Sequence, residues 1–147
     1  MAATSTATPS FEDLELGVQA PPLVVENLTR TNFVRYAGAS GDFNPMHHDD
    51  TLATKAGNPS VFGHGMLTAG LLARVLKDWF GPEALLRYQV RFSKQVWPGD
   101  TLTCTALVTA LHDEGDHGVV DCDLTVKNDK GDTCLTGTAS ARVEKRG

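Results

Sequence analysis

The stretch Ser40-Gly41-Asp42-Phe43-Asn44-Pro45-Met46-His47 places a carboxylate and an imidazole five residues apart. Such a pair can hold a water molecule and trade protons with it near neutral pH, where imidazole titrates. A spacing of five would put the two side chains on different faces of a continuous helix. Pro45 disfavours a helical conformation at Asn44 and removes a backbone donor, so the segment is predicted to be a bent loop. A bend can turn Asp42 and His47 into one cleft. Gly-Asp and Asn-Pro are also common turn pairs. On composition alone the plainer reading, Asp42 bonding nearby backbone amides in a turn, is the stronger one. The run His47-His48-Asp49-Asp50 offers metal ligands as a third reading, but adjacent residues rarely converge on one ion, and no metal is expected.

The elements that must position this loop fall into a helical, loop-rich front and a strand-rich back. Leu23-Val24-Val25 reads as a short early strand. Thr29 or Thr31 can cap a helix that carries Phe33, Val34 and Tyr36 towards the core and stops by Gly38 to Gly41. Asp49 or Asp50 caps a further helical turn closed by Gly57. The longest apolar segment, His64 to Phe80, places Leu67, Leu71 and Val75 on one stripe and Leu72, Leu76 and Phe80 on the next. Its polar edge (Arg74, Lys77, Asp78) is narrow, so the helix is predicted to be wrapped on most sides. From Leu85 the hydrophobic period changes to two. Leu86, Tyr88, Val90 and Phe92 alternate with polar residues, as do Leu102 to Val108, Val120 to Val126 and Leu135 to Val143. Four successive strands predict an antiparallel meander, and a one-faced sheet needs a helical cover. The expected fold is α+β, a curved antiparallel sheet around one long helix.

At 147 residues with net charge −5, the chain is expected to be one domain without a nucleic-acid partner, which would show as a basic stripe. No apolar run approaches the ~20 residues of a membrane span. Residues 1–10 lack the basic start and apolar centre of a signal peptide and are expected to be a flexible tail, leaving a domain over 11–147 and a cytoplasmic address. Three cysteines with no Cys-x-x-Cys spacing are expected to be buried small hydrophobes.

The run SGDFNPMHHDD, with Tyr36 upstream, resembles the hydratase signature S-G-D-x-N-P-hydrophobic-H of the MaoC-like dehydratases and (R)-specific enoyl-CoA hydratases. Met46 stands where that family more often has Leu, Ile or Val. Phe62-Gly63-His64-Gly65-Met66-Leu67 is similar to the family's His-Gly-Met motif at the start of its central helix. The runs Val90 to Lys94 and Trp97-Pro98-Gly99-Asp100 are similar to its F-x-x-P-V-x-x-G-D strand pair, so the resemblance covers about residues 15–143. Among its members, actinobacterial 3-hydroxyacyl thioester dehydratase subunits look most alike. The resemblance implies a single hot-dog domain and pairing as a homodimer, or as a heterodimer with a related hot-dog subunit.

It also implies reversible hydration of trans-2-enoyl thioesters, or dehydration of (R)-3-hydroxyacyl thioesters, in fatty-acyl metabolism. In dehydration His47 is assigned as base at C2, and Asp42 as the group that holds and protonates the departing water; the family is also described with both residues gripping one water. Negative charge then builds on the thioester oxygen. Gly63-His64-Gly65 carries no Ser, Thr, Asp or Asn cap, which leaves the first N–H groups free at the positive end of the helix dipole. The Gly65 N–H is the expected oxyanion donor, although both glycines could simply serve packing. Asn44, His64, Arg91 and Lys94 are candidate substrate-binding residues. Loop bracing by Asn44, a carbonyl bond from His64 and solvated surface charge at Arg91 and Lys94 are their plainer roles. No cofactor is expected beyond the coenzyme A or acyl-carrier phosphopantetheine that the substrate carries. The rivals are a hot-dog acyl thioesterase and a non-catalytic acyl-binding subunit of a heterodimeric dehydratase.

Overall fold

A computed structural model describes residues 7–147. Of the tail expected over 1–10, residues 1–6 lie outside the described residues. Ser10 already caps a 3-10 turn, its N–H and hydroxyl both donating to Asp13 Oδ2.

Thr29, not Thr31, opens the first helix, α1 (Arg30–Ser40). Its hydroxyl accepts the Asn32 N–H while the Asn32 side-chain oxygen accepts the Thr29 N–H at 2.8 Å, a reciprocal cap. Gly41 ends α1 at φ +77°, a left-handed conformation that a side chain would strain. Phe33 and Ala37, four apart, are buried, but Val34 is 58% exposed. The expectation that Val34 faces the core fails because one residue further round a helix points about 100° away. Asp49 caps α2 (Asp50–Lys55) by accepting the Leu52 N–H. The long helix is α3 (Gly65–Phe80), with His64 at its N-cap.

The strands β1 (Leu23–Val25), β2 (Leu85–Phe92), β3 (Leu102–Asp113), β4 (His117–Asn128) and β5 (Thr133–Glu144) form one antiparallel sheet in the order β1-β3-β4-β5-β2. The expected four-strand meander is therefore realised only in β3-β4-β5. β2 does not pair with β3; it lies at the far edge beside β5, with Tyr88 opposite Ala139. The connection from Ser93 to Thr101 crosses the end of the sheet, and its own bonds explain the detour. Gly63 N–H donates to Val96 O (2.7 Å), Gly99 N–H to Leu28 O (2.7 Å) and Leu28 N–H to Asp100 O (2.8 Å). The buried Asp100 carboxylate accepts the Trp97 N–H at 2.9 Å, closing the turn.

The sheet curves around α3, as expected for a hot-dog domain. Leu72, Val75, Leu76 and Phe80 pack against Leu102, Leu124, Leu135 and their alternating neighbours, and Tyr88 hydroxyl donates to Ala69 O at 2.6 Å. Cys104, Cys122 and Cys134 are buried and unpaired, as the sequence predicts. Two expectations are corrected here. The sheet covers one side of α3 only, so Met66, Gly70, Arg74 and Lys77 form an exposed stripe that is apolar at its N-terminal end. At the edge strand β2, Leu86 and Phe92 are 59% and 52% exposed, because no further strand flanks them and a bulge at Leu85/Arg87 turns the strand.

Candidate active site

After α1 ends at Gly41, the loop reverses through a 3-10 turn over Pro45–His47. Main-chain and side-chain bonds fix its shape. Asp42 N–H donates to Ser40 Oγ (3.1 Å), Asn44 N–H to Asp42 Oδ1 (3.2 Å) and Met46 N–H to Asn44 Oδ1 (3.1 Å). The turn reading of Asp42 is realised on one oxygen, and the other is left towards the imidazole. Oδ1 holds the turn, while Oδ2 faces His47 Nε2 at 4.0 Å. Asn44 braces the loop.

Phe62 fixes the orientation of His47. Phe62 N–H donates to Met46 O, and His47 Nδ1 lies 2.7 Å from Phe62 O. A carbonyl only accepts, so Nδ1 carries the proton and Nε2 presents a lone pair towards Asp42 in the neutral ring. The Nε2–Oδ2 gap is too long for a direct hydrogen bond, yet an oxygen at ~2.8 Å from each atom fits between them. Asp42 is half exposed and His47 is buried, so the pair meets solvent from the carboxylate side.

Behind His47 lies His64, 1% exposed and stacked on it with ring centroids 3.8 Å apart and planes at 28°. His64 Nε2 is 3.0 Å from Asp42 O, the carbonyl bond expected of a histidine at a helix start. Burial, opposed by that hydrogen bond, holds the His64 pKa below the ordinary imidazole value, and the neighbouring His47 adds to the lowering. Tyr36 meets the His64 ring edge-on at 4.8 Å, and Phe62 meets His47 edge-on at 5.2 Å. The catalytic candidates thus sit inside a file of aromatic rings.

Asp42, His47 and His64 each bring a ligand atom within 4.8 Å of the others. The stacked imidazoles present faces to one another, so their in-plane lone pairs run side by side instead of converging. One nitrogen of each ring is already bound to a carbonyl. The geometry suits proton transfer better than metal ligation.

The N-terminus of α3 supplies the donor. No side chain caps it, the first bonded amide of the helix is Leu67, and among the described residues the Gly65 N–H has no acceptor. Gly65 opens on a cleft of about 550 Å³ whose walls include Phe62, Thr68, Phe92 and Trp97. A Cβ at Gly65 would stand 2.9 Å from Phe92 Cε1, so only glycine fits without a shift. Packing and an open donor are both served by this residue.

The two basic candidates are separated. Lys94 borders the cleft and pairs with Asp132 at 2.7 Å, whereas Arg91 points to the sheet face away from α3, beside Asp123 and Thr136. Phe62 is the participant that sequence reading missed. It links the loop to the cleft through a main-chain oxygen, and a main-chain acceptor leaves no mark in residue type. The Trp97 ring lies beside it, 5.8 Å from that of Phe62.

Comparison with known proteins gives the family. The MaoC-like domain model matches residues 18–130. An (R)-specific enoyl-CoA hydratase of Rhodospirillum rubrum is 31% identical over 139 residues, covering 93% of each chain. 3-Hydroxyacyl-thioester dehydratase X of Mycobacterium tuberculosis is 40% identical over 119 residues, 80% of this chain and 39% of that protein, so the chain spans well under half of that relative's length. The structure of an (R)-hydratase from A. caviae involved in PHA biosynthesis superposes with a TM-score of 0.80 at 25% identity, covering 90% of this chain and 98% of that one. With its signature loop, uncapped helix and curved sheet accounted for, the chain belongs to the MaoC-like domain family.

Proposed function

We propose that the protein is a hydro-lyase that reversibly hydrates trans-2-enoyl thioesters to (R)-3-hydroxyacyl thioesters. The observation that carries this reading is the 4.0 Å gap between Asp42 Oδ2 and His47 Nε2, which accommodates one water oxygen between an acceptor on each side. In dehydration the His47 lone pair takes the C2 proton while Asp42, starting in its protonated form, gives its proton to the hydroxyl that leaves C3, so that water departs and Asp42 is left as the carboxylate. The proton on His47 then returns to Asp42 through water. The Gly65 N–H bonds the thioester oxygen as charge builds on it. Names of relatives support the reaction and its R configuration, and membership in fatty-acyl metabolism follows from the same support.

The thioester carrier, coenzyme A or acyl-carrier phosphopantetheine, belongs to the substrate, with Lys94 and Lys130 on the cleft wall as the basic residues placed to meet its phosphate. No separate cofactor is required by this chemistry. The unpaired β2 edge with Leu86 and Phe92 exposed supports pairing with a second hot-dog subunit, identical or related. Among the described residues no helix is long and apolar enough to cross a membrane.

Incubation with crotonyl-CoA tests the reading. Loss of the enoyl absorbance without release of free thiol, giving (R)-3-hydroxybutyryl-CoA, is expected. Stoichiometric thiol release would make the protein a thioesterase. Binding without turnover, alone and with related subunits, would make it an acyl-binding subunit.

A further inference from the structure

His64 touches both members of the acid–base pair, and the reaction above gives it nothing to do. Its Nε2 lies 3.0 Å from the main-chain oxygen of Asp42, and its ring stacks on His47 at 3.8 Å. The bond to a carbonyl requires the proton on Nε2, which leaves Nδ1 as a bare lone pair. That atom is buried without any partner, the only such side-chain atom among the described residues. A buried acceptor without a donor costs stability. A role in packing alone would be met at lower cost by an apolar side chain of similar size. The ring is therefore retained for its N–H and its flat face.

We infer that His64 is a positioning residue that sets the Asp42–His47 geometry, donating Nε2–H to the Asp42 carbonyl and backing the His47 ring in one rotamer. This rests on the hydratase reading for its functional consequence, though not for its geometry. Asp42 follows directly on Gly41, the left-handed residue at which α1 ends and the chain reverses. The His64 bond pins the main chain one residue later. On the other side, Phe62 O holds His47 Nδ1 and fixes the ring's tilt. Tyr36 also meets His64 edge-on, so the imidazole packs against two rings. The titratable groups that face it are Asp42 and His47, with His48 further along the same loop and Tyr36 from α1. A neutral His64 adds no positive charge beside His47, which keeps the His47 lone pair available as a base.

Three variants and one spectrum test this. His64→Phe keeps a flat ring and loses the donor; His64→Gln keeps an N–H near the Nε2 position and loses the ring. With crotonyl-CoA, kcat should fall on the order of 10- to 100-fold in His64→Phe with KM changed less than about threefold, since small misplacements of reacting groups act on the chemical step. His64→Gln should recover at least several-fold of that loss, and His64→Ala should lack both contributions and be slowest. Imidazole ¹⁵N spectra of the wild type at pH 8, where the ring is neutral, should show His64 as the Nε2–H tautomer. Wild-type kcat in His64→Phe would overturn the inference, as would His64→Gln being no faster than His64→Phe. An Nδ1–H His64 at pH 8 would also overturn it. If His64→Phe does not fold, the comparison of His64→Gln with His64→Ala and the wild-type spectrum decide. A wild type that folds but does not hydrate refutes the hydratase reading, and the spectrum still tests the geometry on its own.

Discussion

Replacing Gly65 by alanine separates the open-donor role of this residue from its packing role. The new methyl would stand 2.9, 3.2 and 3.3 Å from Cε1, Cδ1 and Cζ of Phe92. Ordinary carbon contacts lie near ~3.5–4.0 Å, so the ring must retreat by roughly half an ångström or more. Phe92 is 52% exposed and sits on an edge strand, so this retreat is cheap. Alanine also favours helix over glycine by up to about 1 kcal/mol in a helix interior, and by less at the first position. The two effects nearly cancel, and the melting temperature should move by no more than about 3 °C for a domain of this size. Activity should behave differently. The methyl enters the cleft beside the amide proposed to bond the thioester oxygen, and a displacement of about 1 Å there should cost on the order of 10²-fold in kcat/KM. Thermal unfolding and enoyl-CoA hydration rates, measured on one preparation, read the two quantities. Full activity at an unchanged melting temperature would refute the assignment of Gly65 to the reaction.

Other consequences are smaller. Asn44→Ala removes the acceptor for the Met46 N–H and should cost about 1 kcal/mol in urea unfolding while slowing turnover several-fold; no change in either would remove Asn44 from the loop's support. The Val61 N–H and then Arg30 hold the Asp50 carboxyl below its ordinary value of 3.8. A depressed folded-state pKa contributes stability that is present above the unfolded value and lost as pH falls through the folded one. The urea midpoint should therefore decline from about pH 4 downward, and Asp50→Asn should flatten that decline; parallel curves would contradict it. Burial pushes the Cys104 and Cys122 thiols up to about 12, so neither should react with iodoacetamide at pH 8 until the protein is unfolded. Rapid labelling of the native protein would contradict the buried placement.

Much of the architecture was legible because periodicity survives in the sequence wherever one face is buried. β3, β4 and β5 each bury alternate residues on both sides of their hairpins, and the expected core positions are the observed ones. β2 read equally well as a strand, but its partner did not, since alternation reports a buried face and says nothing about which edge a strand joins. Its position beside β5 depends on the Ser93–Thr101 crossover, which is held by main-chain bonds and by the buried Asp100. The extent of α3 burial was overread for a related reason. Met66 and Gly70 look compatible with a core, although they lie on the side the sheet leaves open.

The site divides along the same line. Asp42 and His47 could be proposed as a pair only when the Pro45 bend was joined to the resemblance to the hydratase signature, and Gly65 was found from the missing cap. Phe62 was overlooked because its contribution is a carbonyl. His64 was recognised as bonding a carbonyl, but the identity of that carbonyl, and the stacking on His47, depend on a contact spanning 22 residues. Arg91 and Lys94 looked alike as outward basic residues of one strand. The strand ends at Phe92, and the chain turns between the two, which leaves only Lys94 on the cleft.

The central claim is that Asp42 and His47 act as one unit on one water. A double-mutant cycle measures this directly: kcat/KM for enoyl-CoA hydration by wild type, Asp42→Asn, His47→Gln and the double variant, each verified as folded by circular dichroism. Each single substitution should cost about 10²–10⁴-fold, and the double variant should lose little more than the worse single one. Losses that multiply in full, or a single variant that retains wild-type activity, would contradict the account.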